Sequence, residues 1–375
     1  MKKTLIALAA MATTTAFAQS TVTLSGNVKA GLAQTKYSGG AATAATGSAT
    51  GLADGSSRFI LSGSEDLGGG LRANFQVDTR FRIDDNGGQP AASPLAGGAT
   101  FIGLSGKFGN LQIGKLDTHY CLGSDTHGTR ATALQASSCG LLGFVNGSSG
   151  NAVIANASRS VNVTRYTSPN FSGLTFQGTY STNFAGSEGA VGKTSGGNAT
   201  NLRADYVKGP LTAGLSIWQA KGEDQTATVA RIGQKATTLM VNYNLGVATL
   251  GLTWDKSATR AAAANVAAFT DTERTVTSFP VTVPMGAGTV LFTYSKAGNT
   301  KTGSTTNANT GATLVSFGYD YALSKRTTVG VSYAKLDNKA NAGYVLYTQT
   351  ALNGTPANGV GQDASQFYVG VRHAF

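Results

Sequence analysis

The sequence has little of what marks an enzyme or a helical membrane protein. Beyond a short apolar run at the start, no stretch approaches the ~18 apolar residues that a spanning helix needs, which excludes a bundle of membrane helices. Charged residues make up only 13% of the 375, and the helix formers Glu and Lys are scarce, so an architecture of long helices is disfavoured. Three histidines and two cysteines leave little from which to build acid–base, thiol or metal chemistry. No nucleophile elbow, phosphate-binding loop or metal-binding helix motif occurs. The seven prolines gather into no linker, and no charged linker takes their place, which argues against a string of separate domains.

What is present is glycine, 50 residues of it, with abundant Ala, Thr, Ser, Asn and Val. That composition suits many strands joined by loose loops. The first residues read as an export signal: a positive Met1-Lys2-Lys3, an apolar run from Leu5 to Ala12, and Ala16-Phe17-Ala18 before Gln19. Residues 1–18 are therefore expected to be cleaved, leaving 19–375 as one domain. Their loss removes Lys2 and Lys3 and lowers the formal charge from +11 to +9. The remaining 357 residues exceed an ordinary single core, a limit that a β-barrel evades because its circumference grows with strand number.

Period-two alternation supports a barrel. In Thr21–Leu32 the even positions Val22, Leu24, Val28, Ala30 and Leu32 are apolar and the odd ones polar. In Leu71–Arg82 the odd positions Leu71, Ala73, Phe75, Val77 and Phe81 are apolar, opposite Arg72, Asn74, Gln76, Asp78, Arg80 and Arg82. Thr313–Tyr321 and Thr327–Ala334 alternate in the same way, and the closing Gln366–Phe375 places Phe367, Val369, Val371 and Phe375 on one face. An amphipathic strand ending in an aromatic fits the closing strand of an outer-membrane barrel, its aromatic at the membrane–water interface.

Short turns near 66–70, 108–110, 169–173, 208–210, 245–246, 284–288 and 323–325 separate low-complexity segments near 34–56, 84–98, 117–158, 183–199, 222–235, 257–271, 298–311 and 337–363. Seven tight turns and eight long loops connect sixteen antiparallel transmembrane strands, with the short turns on the periplasmic rim and the long loops outside.

Several segments resemble the general trimeric porins of the outer membrane in β-proteobacteria. They are Ser57-Arg58-Phe59, the run Ser62-Gly63-Ser64-Glu65-Asp66-Leu67-Gly68-Gly69-Gly70-Leu71, Gly103-Leu104-Ser105-Gly106 with Phe108-Gly109, Ser168-Pro169-Asn170-Phe171-Ser172-Gly173, Tyr319 to Thr327, and Gly370 to Phe375. The motifs fall in the family's order across the whole mature chain. The resemblance implies an all-β, sixteen-stranded barrel, a homotrimer, and a water-filled pore narrowed by an inward-folded third loop. It also implies an outer-membrane setting, with lipid and lipopolysaccharide around the barrel and Phe375 as the contact for the barrel assembly machinery.

A pore selects by its width and by the charges at its narrowest part. Arg58 occupies the family's basic lumen position on strand two, and alternation agrees, since Phe59 and Leu61 take the lipid face. Lys115 stands where relatives commonly carry Arg, at the entry to the third loop. Arg80, Arg82 and Lys29 share lumen parity, and Arg159 and Arg165 bracket the return from the loop. Asp117 and Asp125 are the expected opposing acids. Many relatives have an acidic Pro-Phe-Gly motif in this loop; here Asp125-Thr126-His127-Gly128 stands near its place, which leaves the pore size open.

Cys121 and Cys139, both in the third loop, are expected to form a disulfide, because export places them in an oxidising compartment. Zinc held with His119 and His127 is disfavoured, since no C-x-x-C or H-x-x-x-H pairing exists; no cofactor is expected. Dispersed charges on alternating strands, without a basic helix or aromatic-interleaved patch, argue against nucleic acid as a partner. The reading is a passive diffusion channel, not an enzyme, for ions and small anionic or neutral solutes, with weak anion preference. A substrate-specific channel for anionic metabolites, or a closed barrel acting as enzyme or adhesin, stays open.

Overall fold

Each strand sorts its side chains by parity. The computed structural model describes residues 20–40, 46–54, 57–81, 83, 95–119, 130–133, 140–142, 159–184, 197–221, 231–262, 270–346 and 359–375. The first strand, β1 (Thr21–Gly39), turns Val22, Leu24 and Leu32 outward at 65%, 61% and 59% exposure, while Asn27, Lys29 and Thr35 point inward and are buried. A half-buried soluble sheet does the reverse. Leaving a Leu or Phe side chain in water forfeits roughly 1.5–3 kcal/mol of burial, so an outward band of such residues is stable only against lipid.

The strands continue as β2 (Gly47–Asp54 and Arg58–Gly68), β3 (Leu71–Arg80), β4 (Thr100–Gly106), β5 (Gly109–Asp117), β6 (Arg159–Thr167), β7 (Leu174–Ser181) and β8 (Asn198–Lys208). Then follow β9 (Leu211–Lys221), β10 (Arg231–Asn244), β11 (Thr249–Ala262), β12 (Thr270–Met285), β13 (Gly288–Ala297), β14 (Ala312–Ala322), β15 (Thr327–Asn338) and β16 (Gln362–Ala374). Every neighbour pairs antiparallel, and β1 closes on β16 from Asn27↔Ala374 to Gly39↔Gln362. Closure leaves no sheet edge, as lipid requires of a spanning sheet. The sixteen strands and the seven short turns follow the expected order.

Both pieces of β2 pair with β1. At the interruption, the Ser57 hydroxyl accepts from the Lys29 N–H at 3.0 Å and donates to the Lys29 carbonyl at 3.0 Å, standing in for the missing ladder bonds.

Several strands outrun the sequence reading. β1 runs to Gly39, β2 begins at Gly47, β10 begins at Arg231 and β11 reaches Ala262, all inside segments expected to be loops. Their Gly-, Ala- and Thr-rich composition is loop-like locally, but the ladder bonds to neighbouring strands do not depend on side chains. The seventh loop adds a small hairpin, Lys301–Thr302 with Thr305–Thr306, whose first arm pairs with β12.

Candidate pore constriction

Arg58 and Arg80 are direct partners across β2 and β3, both on lumen parity. Like charges placed directly opposite destabilise a sheet unless something separates them. Here Asp78 does so: its Oδ2 lies 3.5 Å from Arg58 Nη1 and 3.0 Å from Arg80 Nη2, and the carboxylate is almost wholly buried. The carboxylate also accepts from Arg80 Nε at 3.1 Å.

From this pair a chain of charges runs in both directions. Arg372, on β16, lies within electrostatic reach of Arg58. Lys115, near the end of β5, is within reach of Arg80, Asp78, Arg159 and Asp117, and its Nζ donates to the Ala96 carbonyl at 3.3 Å. The register with β6 shifts here, the two steps from Gly114 to Leu116 on β5 spanning three from Ser160 to Val163 on β6. Gly114 sits at φ +149°, where a Cβ would meet the Thr100 carbonyl oxygen. Along β5 the parity is unbroken, with Gln112, Leu116 and Thr118 buried, so Lys115 lies on the parity of Leu111 and Ile113 and its charge reaches Asp78 and Asp117 from near the strand's end.

Asp117 accepts from Arg159 Nε at 2.8 Å, and its backbone carbonyl accepts from Arg165 Nη1 at 3.0 Å. Arg165 also donates to Gln112 Oε1 at 2.6 and 3.0 Å. Arg203 on β8, paired with Asp205 at 2.6 Å, lies within reach of Arg165. Among these described residues, the strip holds seven cations against three carboxylates, an excess of four positive charges spread from β16 to β8, with Asp320 within reach of Arg372 at its edge.

The structure therefore brings Arg58, Arg80, Lys115, Arg159 and Arg165 together. It places Asp117 among them, at the end of β5 on the basic wall and not across from it. Arg82, Cys121, Asp125, His127, Cys139 and the leader 1–18 lie outside the described residues. Sequence reasoning missed Asp78, Arg203, Asp205 and Arg372. The signal was there for Asp78 and Arg372, which share lumen parity with Arg80 and Gln366.

Described stretches of the third loop dock on β1, β14 and β15, beside the β16 end of the strip. Lys29 Nζ donates to the Thr132 carbonyl at 2.6 Å, and the Thr132 N–H donates to Asp320 Oδ1 at 3.0 Å. The Ala133 N–H donates to Ser332 Oγ at 3.2 Å, and Arg130 approaches Asp320 at 3.8 Å. Gly330 permits this approach, since a Cβ there would lie 2.7 Å from the Ala131 carbonyl carbon and the Thr132 nitrogen. Lys29 is thus committed to holding the loop.

His119, just past β5, is buried against β9–β11. Its Nδ1 lies 2.9 Å from Ser216 Oγ and its Nε2 3.0 Å from Thr238 Oγ1. Thr238 donates its hydroxyl to Asp255 at 2.7 Å, so it accepts from Nε2–H. Ser216 Oγ also accepts from Asn201 Nδ2 at 2.8 Å. Both ring nitrogens are thus engaged, and the imidazole anchors the start of the loop to three strands.

Comparison with known proteins agrees with the barrel fold. The sequence profile of the Gram-negative porin family matches residues 4–341. The outer membrane porin protein 32 of Delftia acidovorans is 31% identical over 392 aligned residues, covering 100% of both chains. The structure of an anion-selective porin from Comamonas acidovorans superposes with a TM-score of 0.73 at 25% identity, covering 95% of this chain and 100% of that one. OmpT of Vibrio cholerae in its trimer form, at 14% identity and a TM-score of 0.63 over 95% of this chain and 99% of that one, shares the fold. The sequence match and the shared fold agree, and this chain belongs to the Gram-negative porin family of passive, non-enzymatic outer-membrane channels.

Proposed function

We propose that this porin is a general diffusion channel whose basic strip gives it a weak preference for anions. The excess positive charge between β16 and β8 is the observation that carries the reading. Hydrated anions passing the strip meet donors already held in place by Asp78, Asp117 and Gln112, so selection costs little reorganisation. The printed description of the Comamonas acidovorans relative as anion-selective supports the same sign.

The working form is proposed to be a homotrimer of residues 19–375, released from the leader 1–18 and set in outer-membrane lipid and lipopolysaccharide after assembly through Phe375. Arg82 and Asp125 keep their proposed place in the constriction on sequence grounds. The test is a planar bilayer under a potassium chloride gradient. Discrete conductance steps with a reversal potential on the chloride side are expected. Cation preference would remove the role given to the strip, and micromolar block by an anionic metabolite would favour a substrate-specific channel.

A further inference from the structure

One three-residue pattern recurs on the outside of three strands that run toward the extracellular rim. It is Trp254-Asp255-Lys256 on β11, Tyr294-Ser295-Lys296 on β13 and Tyr333-Ala334-Lys335 on β15. In each, the middle residue points inward and is buried, so the aromatic and the lysine share the outward face. Below them the same face carries Leu250 and Leu252 on β11 and Phe292 on β13, all exposed. An aromatic at the edge of such an apolar band marks the membrane–water interface. The lysine stands one outward step beyond it, ~7 Å along the strand, at the height of lipid headgroups.

Register puts the three lysines at one height. Lys296 is opposite Thr277, which is opposite Trp254, so Lys256 lies two residues further along β11. On the other side Lys296 is opposite Thr313, which is opposite Asp337, two residues past Lys335. A drift of two residues, ~7 Å, over two strand spacings, ~10 Å, corresponds to a tilt of about 35°, as in outer-membrane barrels. The periplasmic ends drift alike: Gly288, which opens β13, reaches through Tyr321 to Val329, two residues inside the start of β15. Between Lys256 and Lys296, β12 presents Thr275 and Thr277 outward. Lys235 on β10, opposite Ala258, and Lys301 of the seventh-loop hairpin, opposite Glu273, add to the patch. Its acids are Glu273, 2.8 Å from Lys256 Nζ, and Asp271, which accepts from Arg260 Nε at 2.7 Å. Among these described residues of β10–β12, β13 and the hairpin, five cations face two carboxylates. Lys335, at the margin, is paired with Asp337 at 2.8 Å.

We propose that the outward face of β10–β13 is a docking site for a bisphosphorylated glycolipid of the outer leaflet, the lipid A end of lipopolysaccharide. Lys256 and Lys296 take one phosphate each through charge-assisted hydrogen bonds. Their strand positions are ~12 Å apart along the belt, a span on the scale of two linked sugar rings. Thr275 and Thr277 face the sugars between them. The acyl chains lie on Leu252, Phe292 and the tilted pair Phe279 and Tyr294, whose ring centroids are 6.4 Å apart. A headgroup with a single phosphate engages only one of the two lysines. The inference rests on lipopolysaccharide as the surrounding lipid, and it is independent of the anion-channel reading, because these side chains lie outside the lumen.

The test uses the full-length protein purified from outer membranes, with native mass spectrometry in detergent and bisphosphorylated lipid A as the probe. Lys256→Gln with Lys296→Gln is expected to weaken lipid A binding on the order of tenfold. Lys107→Gln with Lys208→Gln, which removes the same charge from the periplasmic rim, is expected to leave binding unchanged. Both variants are expected to keep parental conductance and ion selectivity. Parental binding in Lys256→Gln with Lys296→Gln would overturn the site while leaving lipopolysaccharide as a partner. Equal losses in the two double variants would reduce the binding to net charge and overturn the site as well. The parent protein gives a second reading that needs no variant to fold. Monophosphorylated lipid A and phosphatidylglycerol are expected to compete at least about fivefold less well than the bisphosphorylated form. Equal competition by either would overturn the two-phosphate assignment. A parent that binds no lipid A would overturn the inference together with lipopolysaccharide as the lipid partner, and the channel reading would stand.

Discussion

Arg58 and Arg80 face each other across β2 and β3 with Asp78 between them, so one carboxylate holds two like charges at the same height in the lumen. The arrangement ties stability to selectivity. The carboxylate that makes the pair tolerable also removes one unit of the positive charge that the pore presents.

Asp78→Asn therefore has two effects of opposite value. A buried partner is removed from two cations, which costs on the order of 3 kcal/mol for a buried pair and less here, because Arg58 is about a quarter open to water. The expected result is a lower midpoint in urea or thermal unfolding of the refolded barrel. In the same variant the strip gains net positive charge, so the reversal potential under a salt gradient moves further to the chloride side. A stability loss without that movement would mean that Arg58 and Arg80 do not face the conduction path.

Neutralising Arg58 and Lys115 together, as Arg58→Gln with Lys115→Gln, halves the excess charge of the strip. The reversal potential is expected to move toward zero while the barrel still folds. The effect depends on salt: the Debye length falls from ~10 Å at 0.1 M to ~3 Å at 1 M, so the difference between variant and parent shrinks across that range. Unchanged selectivity at 0.1 M would place the filter elsewhere.

The barrel was legible in the sequence because its signal is redundant. Sixteen strands repeat one alternation, and Val22, Phe75, Phe317 and Val369 each point to the same outward face. The charged wall was legible in part, since parity alone places Arg58 and Arg80 inward. Lys115 was reached through family resemblance, because strict alternation puts it on the outward parity of Leu111 and Ile113. Pairings such as Arg165 with Gln112 or His119 with Ser216 join residues 53 and 97 positions apart, and no local pattern encodes them. The strand ends in Gly- and Thr-rich segments were missed because their ladder bonds are made by backbone.

Cys121 and Cys139 are expected to be joined in the native protein. Export delivers them to an oxidising compartment, and closing a loop of this length stabilises by about 3 kcal/mol in the chain-entropy picture. Peptide mapping without reductant is expected to recover the two cysteines in one linked fragment that separates on reduction. Two free thiols in the freshly purified protein would dismiss the bridge.

His119→Ala tests whether the buried imidazole holds the third loop. The substitution deletes two hydrogen bonds and leaves Ser216 and Thr238 facing a space where the ring was, while the Thr238–Asp255 bond at 2.7 Å remains. Each bond contributes ~1 kcal/mol net, and the deserted partners add a comparable penalty, so the loop loses about 2–3 kcal/mol of anchoring. The barrel ladder is untouched, so the unfolding midpoint is expected to move little. The current is expected to change: open-channel noise rises, with brief excursions to higher conductance as the loop leaves the β9–β11 wall. His119→Gln, which retains one donor and one acceptor on a shorter reach, is expected to fall between the parent and the alanine variant. A quiet channel of parental conductance in His119→Ala would show that contacts elsewhere, such as Lys29 with Thr132 and Thr132 with Asp320, hold the loop without the imidazole.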